Sequence, residues 1–120
     1  MKILVREGSA AKNFNELITL VDEYPEWCMF CSDDKHPDEL MQGHINGMVK
    51  RAVRLGIDNM KVLKAACVNP VRHYGLDSGL LQIGDSADFL VVDNLKDFTI
   101  LRTFIKGVVV AEAGKTIIPP

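Results

Sequence analysis

Apolar and polar positions divide the chain into short segments of alternating character. Residues 2–6 form a brief apolar, partly β-branched run that stops at Gly8 and the small residues Ser9, Ala10 and Ala11. That pattern predicts a buried strand whose end faces a loop. Asn13, with Glu16 three positions later, reads as a capping box, and Leu17, Ile18, Leu20 and Val21 then give an amphipathic helix halted near Pro25. Residues 27–31 are a second apolar run, and they give way at once to the polar string Ser32-Asp33-Asp34-Lys35-His36-Pro37. Pro37 at a first helical position, with Asp38 and Glu39 in the first turn, opens a helix in which Met41, Ile45, Met48, Val49 and Ala52 recur at helical spacing. Lys50, Arg51 and Arg54 suit its negative end, and Gly56 can stop it in the left-handed conformation. Asp58 then caps a further helix through Met60, Leu63, Ala66 and Cys67, which Asn69-Pro70 should end.

The order strand, helix, strand, helix, helix suggests βα units of a parallel sheet, whose strands are buried on both faces and so are apolar without interruption. After Gly75 the texture changes. Gly79, Gly84, Gly107 and Gly114 punctuate runs such as Phe89-Leu90-Val91-Val92 and Val108-Val109-Val110, a composition that predicts antiparallel strands. Residues 99–105 and 108–111, joined by Lys106-Gly107, read as a hairpin, because glycine supplies the positive φ of a tight turn. The expected division is a first part over residues 1–74 and a second over residues 75–120.

Bulk composition narrows the classes. The 14 basic and 16 acidic residues are dispersed, for a net charge of −2, so no basic patch marks a nucleic-acid partner. No apolar run approaches the roughly 20 residues that cross a bilayer, and the N-terminus is too short for a signal peptide, so the expectation is a cytoplasmic chain without a membrane partner. Cys28, Cys31 and Cys67 are an odd number, which favours free thiols over disulfides.

Chemistry is most plausibly sought at the two strand ends. Asp33, Asp34 and His36 lie just past the second strand, where carboxylates and a neutral imidazole can bind a divalent metal or move protons. C-terminal strand ends are where active sites gather in parallel α/β folds, although a solvated loop capping the next helix is the plainer alternative. Arg6-Glu7-Gly8-Ser9 is the matching position on the first strand, where Arg6 or Glu7 would orient a substrate or simply form a solvated pair. Cys28 and Cys31 have the spacing of a zinc or redox motif, but side chains three apart on a strand point to opposite faces and cannot grip one metal. His44 and His73 stand alone. No phosphate loop, nucleophile elbow or Rossmann fingerprint is present.

With those residues in place, the sequence resembles the adenine deaminase family of the amidohydrolase superfamily, in its C-terminal portion. The resemblance runs through residues 6–13, 30–37, 43–46 and 65–70, and then His73-Tyr74-Gly75-Leu76, Gly84-Asp85, Ala87-Asp88-Phe89 and Val92-Asp93, in the family's order. It implies an α/β fold made of the last two βα units of a (β/α)8 TIM-type barrel, followed by antiparallel strands of a small β-sandwich. It also implies a divalent metal, Mn, Fe or Zn, with Asp33 at the metal centre. There the aspartate would accept a proton as metal-bound hydroxide attacks C6 of adenine, releasing ammonia and hypoxanthine. By the same resemblance Asp34 assists catalysis, and Arg6, Glu7, Ser9 and His36 line the substrate pocket. The family's other metal ligands belong to strands outside this chain, and a whole barrel needs about 250 residues, so the isolated chain is expected to be inactive. The competing expectation is a non-catalytic module that self-associates as a homo-oligomer or completes a barrel with another chain, since an open remnant leaves strand edges and apolar faces uncovered.

Overall fold

The computed structural model describes residues 1–119. The first apolar runs form β1 (Ile3–Arg6) and β2 (Cys28–Cys31), parallel and in register, with Ile3 opposite Cys28 and Arg6 opposite Cys31. Parallel strands need a long crossover, and α1 (Phe14–Glu23) provides it. Alternation along the pair puts Ile3, Val5, Cys28 and Phe30 on one face. They pack with Phe14, Ile18 and Val21 of α1 and with Met48, Val49 and Ala52 of α3 (Ile45–Arg54), in a single core. Phe14 and Val21 are fully enclosed, and each such side chain contributes about 1.5–3 kcal/mol of burial free energy. The other face of the pair carries Leu4, 37% exposed, and Arg6.

Three sequence expectations need correction. Asn13 precedes α1 but its side chain makes no capping bond. Its Oδ1 instead accepts the Arg6 amide at 2.6 Å and its Nδ2 donates to the Leu4 carbonyl at 3.2 Å. The outer edge of β1 has backbone groups that no strand of this chain pairs, and satisfying them outweighs a helix cap that solvent can supply.

The helix expected to open at Pro37 and run on to Gly56 is two helices, α2 (Pro37–Leu40) and α3, separated by residues 41–44. Met41 is 90% exposed and His44 becomes the residue before α3, not a member of it. Gly43 is a poor helix former, and the break lets α3 reorient so that Ile45, Met48, Val49 and Ala52 meet the core. Gly56, at φ +92°, ends α3 as its position suggests.

Asp58 caps α4 (Asn59–Leu63), accepting the amides of Met60 and Lys61 at 3.0 and 3.2 Å. Asn69-Pro70 does not end this helical stretch. A π-helical turn (Lys64–Val68) follows, with the Asn69 amide bonded to the Lys64 carbonyl, and α5 (Asn69–Tyr74) continues to Gly75 at φ +62°. The missing amide of Pro70 falls at the shift from π to α register, where it interrupts least. Asn69 is itself buried and donates its two amide hydrogens to the carbonyls of Pro25 and Cys28, at 2.7 and 2.8 Å, tying the helix to the start of β2.

The remaining strands, β3 (Phe89–Val92), β4 (Ile100–Ile105), β5 (Val108–Glu112) and β6 (Lys115–Thr116), form an antiparallel sheet in sequence order. The β4–β5 hairpin turns at Lys106 and Gly107, both at positive φ, as a tight turn matched to strand twist requires. This sheet does not stand apart. Phe98, 5% exposed, and Val92 pack into the core of the first part. Asp97 pairs with Lys50 at 3.6 Å and Arg54 at 3.1 Å on α3.

Candidate functional site at the strand ends

Because β1 and β2 are parallel and in register, the loops that follow them emerge side by side. The Glu7 amide still bonds the Cys31 carbonyl at 3.1 Å, after which both chains leave the sheet. Asp33, two residues past β2, has a left-handed backbone at φ +47°. Its own amide donates to Cys31 Sγ at 3.3 Å, and its Oδ2 accepts the Asp34 amide at 3.0 Å. Its Oδ1 lies 3.5 Å from Arg6 Nη1. The two side chains are 40% and 30% exposed, so the pair is open to water and weak as a source of stability. It does fix a carboxylate beside a cation at the mouth of the strand pair.

Asp34 turns the other way. Its carboxylate accepts the amides of Ala10 and Ala11 at 3.2–3.3 Å, so it spans from the second loop to the first. Those amides, Ala11's foremost, hold its carboxyl below the usual aspartate range. Gly8 makes this approach possible: a Cβ there would lie 2.0 Å from Asp34 Oδ1 and 3.1 Å from the Asp34 amide nitrogen. Ser9 fastens the same two loops again. Its hydroxyl donates to Glu39 Oε2 and accepts the His36 amide at 2.9 Å. His36 thus takes part through its backbone, as the residue before α2. Glu7 is drawn to α3, where Arg51 Nη1 lies 3.2 Å from its Oε2. Arg51 also donates to Asn15 Oδ1 and sits 4.2 Å over the Phe14 ring.

Of the residues singled out in the sequence, the structure therefore brings Arg6 and Asp33 into contact. Ser9 and Asp34 make hydrogen bonds that lock the two loops together, and Glu7 pairs instead with Arg51 of α3. Sequence reasoning missed Arg51 and Glu39, which lie far along the chain and announce themselves only as ordinary helix charges. It also passed over a cleft of about 310 Å3 beside the clasp, lined in part by Lys12, Lys35 and His44. The only prior hint there was two lysines flanking the motif segments.

The cysteines behave as strand geometry requires. Cys28 lies in the core, Cys31 is half-buried on the other face, and all three thiols are free. Burial pushes the Cys28 thiol up, with Lys2 partly opposing it, so it stays protonated and unsuited to grip a metal. Among the described residues, no group of three or more His, Cys, Asp or Glu side chains is placed to hold a metal ion. Asp33 brings one carboxylate with an arginine beside it, and catalytic metals usually take three protein ligands. The donor set of this chain does not by itself fit a metal.

Two parallel strands joined through a helix, with polar loops at their C-terminal ends and an antiparallel sheet docked alongside, make an α/β arrangement. The chain belongs to the amidohydrolase family, whose model matches residues 3–110. It is 60% identical over 116 residues to an adenine deaminase of Salinibacter ruber, covering 97% of this chain and 21% of that protein. It is 53% identical over 120 residues to an adenine deaminase of Methanosarcina acetivorans, covering 99% of this chain and 22% of that protein. The chain thus spans 21–22% of the length of these curated relatives. Among solved structures, a β-aspartyl dipeptidase of Fervidobacterium islandicum AW-1 superposes with a TM-score of 0.77 at 20% identity, over 99% of this chain and 33% of that one. The same enzyme with a β-Asp-Leu dipeptide gives 0.75 at 19% identity, and at such identity the likeness speaks for the fold alone. Among the described residues no helix is long and apolar enough to cross a membrane.

Proposed function

We propose that this chain is the C-terminal portion of an adenine-deaminating amidohydrolase, in which residues 1–74 supply the last two βα units of a (β/α)8 barrel and residues 75–120 supply β-sandwich strands. The observation that carries the reading is Asp33, held beside Arg6 where the parallel pair opens. In such barrels the reacting groups come from the C-terminal ends of several strands. Asp33 is the group here that takes up a proton and returns it to the departing ammonia, while Arg6 holds the carboxylate in orientation between turnovers. The clasp through Asp34, Ser9 and Gly8 acts on position: it ties the loop carrying Asp33 to the loop after β1, and tight positioning of reacting groups is worth far more than their mere presence. Any divalent metal in the complete site draws most of its ligands from outside this chain, and the metal supplies charge stabilisation when bound.

The high identity to proteins named adenine deaminase favours adenine over a dipeptide as the substrate. The isolated chain is inactive in this reading, because it supplies one carboxylate of a larger site, and its uncovered strand edges drive association with further copies or with the rest of a barrel. The test is adenine deamination, followed as hypoxanthine and ammonia, with the chain alone and with the chain joined to the remaining sequence of the Salinibacter ruber relative. Activity only in the joined protein, abolished by Asp33→Asn, is expected. Deamination that survives Asp33→Asn, or none in the joined protein loaded with Mn, Fe or Zn, refutes the reading. Light scattering that finds only a stable monomer of the isolated chain refutes the association.

A further inference from the structure

One side chain closes half of the outer edge of β1. In an extended strand, successive residues turn their N–H and C=O groups to opposite edges. The Ile3 amide bonds the Trp27 carbonyl at 2.7 Å and the Glu7 amide bonds the Cys31 carbonyl at 3.1 Å, so these residues face β2. Leu4 and Arg6, of the other parity, face outward. Three of their four outward backbone groups are taken by Asn13. Its Oδ1 accepts the Arg6 amide at 2.6 Å, its Nδ2 donates to the Leu4 carbonyl at 3.2 Å, and its own amide donates to the Arg6 carbonyl at 3.1 Å. Lys12, just before it, bridges Glu7 in antiparallel fashion. Among the described residues nothing pairs the fourth group, the Leu4 amide, and the Leu4 side chain beside it is exposed. The side-chain bonds have a specific meaning. One residue of a parallel neighbouring strand would donate its N–H to the Leu4 carbonyl and accept the Arg6 amide, which is what the Asn13 carboxamide does. Neighbouring strands lie about 4.8 Å apart, so the carboxamide stands where that strand's backbone would run.

We infer that Asn13 is an edge lock, which confines any strand added to β1 to the half carrying Lys2 and Leu4 and keeps the mouth where Arg6 meets Asp33 uncovered. The partner this edge accepts is an extended polypeptide strand, and in a solution of the pure chain that strand belongs to a second copy. Before the lock, the Leu4 amide and the Lys2 carbonyl share the edge, and one residue of the added strand can bond both. Beyond it the added strand turns away, because the groups it would bind are already bound. The consequence for the site is access: no added backbone runs beside Arg6, whose Nη1 lies 3.5 Å from Asp33. The inference rests on the association proposed above and is independent of deamination, since it concerns backbone pairing alone.

The experiment is amide hydrogen exchange of the 15N-labelled 120-residue chain at low and high protein concentration, with light scattering at each. In the parent chain the Arg6 amide should be protected at both concentrations, and the Leu4 amide only where the chain has associated. Asn13→Ala removes both side-chain bonds. Its Arg6 amide should exchange freely when dilute and gain protection on association, which should set in at about tenfold lower concentration, the factor for roughly one more net hydrogen bond. Asn13→Asp keeps the acceptor for Arg6 and loses the donor to Leu4, so its Arg6 amide should stay protected in dilute solution. Unchanged amide positions in β4 and β5 show that a variant is folded, and the aspartate variant carries the test alone if alanine prevents folding. An Arg6 amide that is unprotected in the dilute parent or aspartate variant overturns the lock. So does a parent that associates as readily as Asn13→Ala, and this leaves the association standing. Absence of association in both proteins refutes the association and the lock with it.

Discussion

Replacing Gly8 with alanine tests the clasp directly. The new Cβ would lie 2.0 Å from Asp34 Oδ1 and 3.1 Å from both the Ala11 carbonyl oxygen and the Asp34 amide nitrogen. Ordinary contact needs more than 3 Å to the carboxylate, so the Asp34 side chain must withdraw by roughly 1 Å, which pulls it from the amides of Ala10 and Ala11. Overpacking of this kind costs about 1–3 kcal/mol, and Gly8 is buried, so the loop has little room to relax. Urea denaturation followed by circular dichroism measures the loss. The decisive comparison adds Asp34→Ala, which removes the atom that the Cβ strikes. If the clash is the cause, Gly8→Ala costs much less in the Asp34→Ala background, with a coupling of about 1 kcal/mol or more. Additive losses within about 0.5 kcal/mol would refute the clasp, because they mean the alanine is resisted by something other than Asp34.

Asn69 and the acid response of Asp34 offer further tests. Asn69→Ala leaves the Pro25 and Cys28 carbonyls unpaired and should cost about 2–4 kcal/mol by urea denaturation, while Asn69→Asp, which sets a carboxylate against those oxygens, should cost more. An aspartate variant as stable as the parent would remove the staple from the account of the fold. The Asp34 carboxyl is lowered from its ordinary value of 3.8, so the stability it contributes is complete above that value and is lost as pH falls through its lower folded value. The stability gap between the parent chain and Asp34→Asn should therefore narrow below about pH 3.8 and stay constant above it. Asp88, pulled down chiefly by the Lys106 amide, loses its own contribution in the same range in both proteins and so cancels in the comparison. A gap that stays constant down through strongly acidic pH would contradict the role given to the carboxylate.

The sequence by itself determined the elements whose causes are local. Apolar β-branched runs gave β1 and β2, the glycine-punctuated tail gave the antiparallel strands, Asp58 capped its helix, and Lys106-Gly107 turned the hairpin. The loop around Asp33 was legible for the same reason, since an abrupt change of polarity at a strand end is written in neighbouring residues. What failed were inferences in which a local preference competed with distant groups. Asn13 had a capping position, but the unpaired edge of β1 claimed its side chain. Pro70 had the look of a terminator, but a π turn absorbed it while Asn69 found carbonyls 41 and 44 residues away. Likewise, only the folded chain could set Asp34 on the amides of Ala10 and Ala11, or bring Lys12, Lys35 and His44 to one cleft, because hydrogen bonds and charges act over a few ångströms of space whatever their separation along the chain.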